Sequence, residues 1–354
     1  MLQNQQEIST GVVRTVLGPV AAQDLGIVLI NESLLSVYPG ADLAPEINMD
    51  KSEIFETLKR KLNDFRRQGG QTIVDASGMF HGRDVWLYQT LSKATGVNII
   101  ATTGLGPEKL LGGYFVTPQT NPPTPWPAEK FAGLFTQEVV EGVVVPRVER
   151  STAAGAVVSI ANPEGITNEE KSLFRGSAQT ARETGVVVSV QHGADAIADL
   201  ELLLAEGVDP SRVVIGGVDR QTAVGSKAAF EIARRGAYAS IDHIGWGSEE
   251  GYISDAERVR LVVELLEAGF SERVLLSTSA VGVAKGHPAK ELAFDYLLST
   301  FVPLLKKAGV TDEQIRVLLE ENPQRVLTVD TTAALKIKEY SVAGWRQWFS
   351  PVDH

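Results

Sequence analysis

Eight short runs rich in Val and Ile recur along the chain, and stretches with helical periodicity lie between most of them. The runs are IVLI (27–30), TIVDA (72–76), NIIAT (98–102), AVVSIA (156–161), VVVSV (186–190), RVVIG (212–216), AYASI (237–241) and RVLLS (273–277). Helical spacing of apolar residues marks 52–67, 83–96, 168–185 and 256–270. Thr167 with Glu170, Ser254 with Glu257 and Thr311 with Gln314 have the capping-box spacing, in which two side chains satisfy two orphan amides at a helix start. Strand runs alternating with helices, mostly roughly 25 to 36 residues apart, predict βαβ units and a parallel sheet. Eight such units predict an α/β fold, a (β/α)₈ TIM barrel, with residues 1–354 as one domain. A doubly wound open sheet is the alternative, but no Gly-x-Gly-x-x-Gly stretch opens a helix.

Two segments interrupt the rhythm. Residues 32–51 follow the first run as a long loop, and 106–127 follow the third with Gly, Pro and the aromatics Tyr114, Phe115 and Trp126. Loops after barrel strands surround the active-site mouth, so the second reads as a lid or as a loop packing its own aromatics.

Composition narrows the function classes. A net charge of -11 with no Lys/Arg run disfavours nucleic acid and anionic lipid as partners. The chain contains no cysteine, which excludes disulfides, thiolate metal sites and cysteine nucleophiles. No signal peptide is readable in the first twenty residues, and no apolar run is long enough to span a membrane, so a cytoplasmic location is expected.

Several stretches resemble one known family. GVVRTVLGPVAAQDLGIVLINESLL is similar to the opening of the phosphotriesterase-like family of the amidohydrolase superfamily. TIVDASGMFHGRDVWLYQTLSKATGVNIIATTGLG resembles its second and third strands, while RVVIGGVDRQT, GAYASIDHIGW and ENPQRVL resemble its sixth strand, seventh strand and C-terminal helix. The resemblance implies a barrel, a homodimer and hydrolysis of phosphotriesters, lactones or related esters. It also implies two metal ions, held by a His-x-His pair on strand one, a carbamylated Lys on strand four, one His each on strands five and six, and an Asp on strand eight.

Residue by residue, that ligand set is missing. Asn31 and Ser33 stand at the His-x-His positions, Val158 at the Lys, Gln191 and Gly217 at the two His positions, and Ser279 at the Asp. Most of these groups have little affinity for a divalent cation. The expected cofactor is therefore none, and no metal ligand is assigned.

Acid/base chemistry remains. His81, His192, His243 and His287 all follow strand ends, where barrel enzymes carry their chemistry. His243, in the Asp-His pair that the resemblance turns toward the pocket, is the first candidate for general acid or base, with His81 as its counterpart. Asn31, Ser33, Gln191, His192, Arg220, Trp246, Ser279, Tyr114 and Trp126 are the expected substrate-binding residues. Asp75 and Asp242 are expected to support neighbouring loops. The expectation is a metal-independent lyase, isomerase or activated-ester hydrolase acting on a small, partly aromatic molecule. A pseudoenzyme that only binds a small molecule or protein is one alternative, and the family's metal-dependent hydrolase is another.

Overall fold

The computed structural model describes residues 11–117, 121, 123–144, 149–191, 193–247 and 249–329. Its strands are β1 (Val12–Thr15), β2 (Gly18–Ala21), β3 (Ile27–Val37), β4 (Gly70–Asp75), β5 (Asn98–Leu105), β6 (Val116–Thr117), β7 (Thr124–Pro125), β8 (Ala156–Ile160), β9 (Val187–Gln191), β10 (Val213–Gly216), β11 (Tyr238–Ile241), β12 (Val274–Leu276) and β13 (Val281–Lys285). Its helices include α1 (Lys51–Arg67), α2 (Val85–Thr95), α3 (Glu108–Leu111), α4 (Ala128–Val140), α5 (Asn168–Thr184), α6 (Ala196–Ala205), α7 (Gln221–Gly225), α8 (Ala228–Arg234) and α9 (Asp255–Glu267). All three expected capping boxes form, at α5, at α9 and at the helix beginning with Asp312.

Every expected run is found in one curled sheet of nine parallel-paired strands, in the order β12-β11-β10-β9-β8-β5-β4-β3-β13. The eighth run is broken. Its first part, β12, pairs with β11, and its continuation β13 pairs with β3, so both sheet edges belong to one stretch of chain. The loop expected over 32–51 is shorter than that, because β3 continues to Val37 before the chain leaves the sheet. The 106–127 segment holds α3 and the small antiparallel pair β6–β7.

Strand alternation sorts side chains into two cores. Val28, Ile30, Val74, Ile100, Ala156, Val187, Val214, Tyr238 and Leu275 pack together on the concave side, capped by Val13, Leu25 and Val326. Leu29, Ile73, Ile99, Val157, Val188 and Ile215 point the other way, toward the helices. Simple alternation from Val28 and Ile30 would send Asn31 outward. A register shift between Leu29 and Glu32 turns it back, as an extra residue in one strand does. Among the described residues, no helix is long and apolar enough to cross a membrane.

Candidate active site

Asn31 within β3 and the ends of β9, β10, β11 and β12 converge on one carboxylate, Asp242. Asn31 Nδ2 and Gln191 Nε2 each donate to Asp242 Oδ2 at 3.0 Å, and the Gly217 amide donates to Oδ1 at 2.8 Å. Asn31 Nδ2 also donates to Ser279 Oγ at 3.0 Å, and that hydroxyl donates to the Asp242 carbonyl oxygen at 2.7 Å. Gly217 has φ +74, a conformation that side chains disfavour, and this turn aims its amide at the carboxylate. The loop support expected of Asp242 is present in the bond from the Gly217 amide, and the structure adds that two expected binding residues, Asn31 and Gln191, donate to the same carboxylate while Ser279 donates to its carbonyl oxygen.

His243 sits beside Asp242 and is only 5% exposed. Its Nδ1 lies 3.0 Å from both Asp242 Oδ1 and Asp219 Oδ1, and its backbone amide donates to Asp219 Oδ2. Burial works against the imidazolium, but the two aspartates outweigh it and raise the pKa to about 10. At neutral pH this histidine is therefore a cation, suited to donate a proton and unsuited to accept one. Burial likewise opposes charge on Asp219, yet His243 and Arg258 hold its pKa down at about 2. Arg258, fully buried on α9, donates from Nε to Asp219 Oδ2 at 2.6 Å and from Nη1 to Asp255 at 2.9 Å. Arg258 was not expected at the site.

Aromatic rings enclose this cation. Tyr252 and Trp246 lie 4.4 and 5.3 Å from the His243 ring, and the Trp246 indole donates to the Thr278 carbonyl. Arg220 caps α7 and pairs with Tyr252 in an isolated bridge, which brings its backbone to the same group of loops. Ser33 bonds Ser77 at 2.7 Å, on the β4 side of the mouth.

The other expected residues stand apart. His81 Nε2 is 2.7 Å from the Gly106 carbonyl, and burial, with His287 nearby, lowers its pKa. No hydrogen bond among the described residues joins it to His243. Tyr114 stacks on Phe80 at 4.1 Å with both rings substantially exposed, and Trp126 packs against Phe131 with Lys130 over its face. His192 lies outside the described residues.

Asn31, Gln191 and Gly217 present N–H donors to a carboxylate, where metal ligation needs lone pairs, and Val158 contributes an apolar side chain that is 5% exposed. Asp219, Asp242 and His243 do bring possible ligand atoms within 4.8 Å of one another. The Arg258 guanidinium bonds Asp219 in the same group.

Behind the mouth lies another buried carboxylate, Glu32. It accepts Ser277 Oγ at 2.8 Å, the Thr278 amide and hydroxyl at 2.9 Å, and the Ala280 amide, all from the break between β12 and β13. Burial outweighs these bonds and raises its pKa to about 7.

A sequence profile of the Phosphotriesterase family matches residues 11–327. The chain is 28% identical to N-acetyltaurine hydrolase of Dictyostelium discoideum over 80% of its own length and 75% of the relative's. It is 26% identical to the aryldialkylphosphatase of Saccharolobus solfataricus, over 86% of this chain and 96% of that one. Among solved structures, the organophosphorus hydrolase from Deinococcus radiodurans superposes with a TM-score of 0.78 at 26% identity, covering 91% of this chain and 98% of that one.

Proposed function

This chain belongs to the phosphotriesterase family, and from that premise we propose that it is an enzyme working without paired metal ions, with His243 as a fixed cationic acid. The observation that carries this reading is the convergence of N–H donors on Asp242. In it the sheet closes into a (β/α)₈ barrel, because β12 and β13 occupy both of its edges. A single domain, a homodimer and a cytoplasmic location belong to the same proposal. The partner is a small molecule, since the charge of -11 disfavours nucleic acid and lipid surfaces.

With Nδ1 held by two aspartates, Nε2 is the atom of His243 left to meet a substrate. It would protonate a leaving group or polarise a carbonyl, while Trp246 and Tyr252 form an apolar wall for a partly aromatic molecule. Hydrolysis of an activated ester, elimination and isomerisation are all compatible with an acid of this kind. The names of the relatives, N-acetyltaurine hydrolase and aryldialkylphosphatase, favour hydrolysis.

Two measurements test this. Elemental analysis of protein purified without chelator should find less than about 0.1 equivalent of divalent transition metal, whereas roughly two equivalents would restore the family's usual chemistry. With 4-nitrophenyl acetate as an activated-ester probe, His243→Gln should lower turnover by about 10²-fold or more. The binding-only reading draws support from the Asp242 carboxylate, whose oxygens are already committed to donors. Turnover no higher in the wild type than in His243→Gln, for this probe and for a lactone panel, would favour it.

A further inference from the structure

We propose that Gly216 is a positioning residue of this mouth: its missing side chain opens the slot through which Asp242, just past the end of β11, reaches Gln191 two strands away. The sheet order places β10 between β11 and β9, and Gly216 pairs directly with Gln191 on one side and with Ser240 on the other. Val214 packs in the concave core, so alternation turns the Gly216 Cα toward the same interior. The Asp242 carboxylate therefore has to pass over Gly216 to meet the Gln191 amide at 3.0 Å.

Space, and not backbone conformation, demands glycine here. Gly216 lies in regular parallel pairing and outside the left-handed region. A Cβ added to it would sit 2.5 Å from both Asp242 Oδ2 and Gln191 Nε2, about 1 Å inside an ordinary contact. The carboxylate has no easy retreat, because Asn31 and the Gly217 amide also hold it and the shared Nδ1 proton of His243 lies against it. A methyl group at this position would displace Asp242 from Gln191 and thereby change the environment of the His243 Nδ1 proton. Gly216 acts through Asp242 and touches no substrate, and this inference rests on the cluster's geometry, whatever reaction His243 performs.

The test uses the full chain carrying Gly216→Ala, with Gly225→Ala as control, since a Cβ at Gly225 meets nothing within 4 Å. Expected are a shift of the Gln191 side-chain amide and His243 Nδ1–H resonances in the first variant only, with a lower melting temperature. Adding Gln191→Ala vacates one side of the slot and should recover about half or more of the lost melting temperature, a non-additivity typical of groups in contact. Unmoved resonances in Gly216→Ala, or strictly additive effects, would overturn the proposal. If Gly216→Ala fails to fold, the double variant decides: recovery of folding supports the slot, and continued failure overturns it. A metal-loaded enzyme with an intact slot would refute the function proposed above and leave this inference standing.

Discussion

Replacing Asp219 with Asn should lower unfolding stability by about 3–5 kcal/mol, the range expected when one partner of a buried ion pair is removed. Arg258 is fully buried, and its Nη2 has no hydrogen-bond partner among the described residues. Its Nε bond to Asp219 is one of two charge-assisted contacts that make the cation tolerable, the other running to Asp255. An amide would also turn a donor toward the His243 backbone N–H or the imidazole, both of which now donate to the carboxylate. Urea unfolding of the two proteins, with an unchanged slope, measures the difference; a loss under about 1 kcal/mol would mean that Arg258 finds other partners.

The sign of the pH dependence follows from the two pKa shifts. Asp219 is depressed from 3.8 to about 2, so its contribution is present above pH 4 and fades as pH falls through 2. His243 is raised from 6.5 to about 10, so its contribution is full below pH 6.5 and fades as pH rises through 10. The penalty for Asp219→Asn should therefore hold steady between about pH 4 and 6.5, decline above that range and shrink most near pH 10, where the imidazolium itself gives up its proton.

Much of the frame could be read from sequence because it is local. Runs such as VVVSV, with a capping box ahead of the preceding helix and a glycine ending it, specify a strand without help from distant residues. The centre of the site could not be read that way. Asp242 meets donors 211 and 51 residues away, and nothing in the Asp-His pair alone reveals that Asn31 and Gln191 will both turn toward it. Asn31 faces the mouth only because β3 shifts register, which no two-residue alternation predicts.

Arg258 was legible in principle. It shares the buried face of α9 with Leu261, Val262 and Leu265, at helical spacings of three, four and seven, and a charged residue on such a stripe signals a buried counter-ion. The break in the eighth strand was not legible, since Ser277, Thr278 and Ser279 read as an ordinary strand end. What turns them into a joint is a carboxylate some 245 residues earlier, Glu32.

Glu32 makes the remaining large prediction. It has no ion-pair partner among the described residues, and the donors from Ser277, Thr278 and Ala280 only partly offset its burial. A carboxyl raised from 4.5 to about 7 binds its proton more tightly folded than unfolded, so its contribution is full below pH 4.5 and is lost as pH rises through 7. Between pH 5 and pH 8 this single group should remove about 2–3 kcal/mol of stability. Asp199 is also raised by burial, to about 6, and adds to the same slope, so the wild-type curve alone does not isolate it. The comparison with Glu32→Gln does, because an amide cannot ionise and the difference between the two curves should change by that amount over this interval. Parallel curves would mean that the carboxyl keeps its charge at pH 5, sustained by the hydroxyls and amides of the break. The outcome bears on the site as well, since the segment clasped by Glu32 carries both the Ser279 hydroxyl that bonds Asn31 and the Thr278 carbonyl that holds the Trp246 indole beside His243.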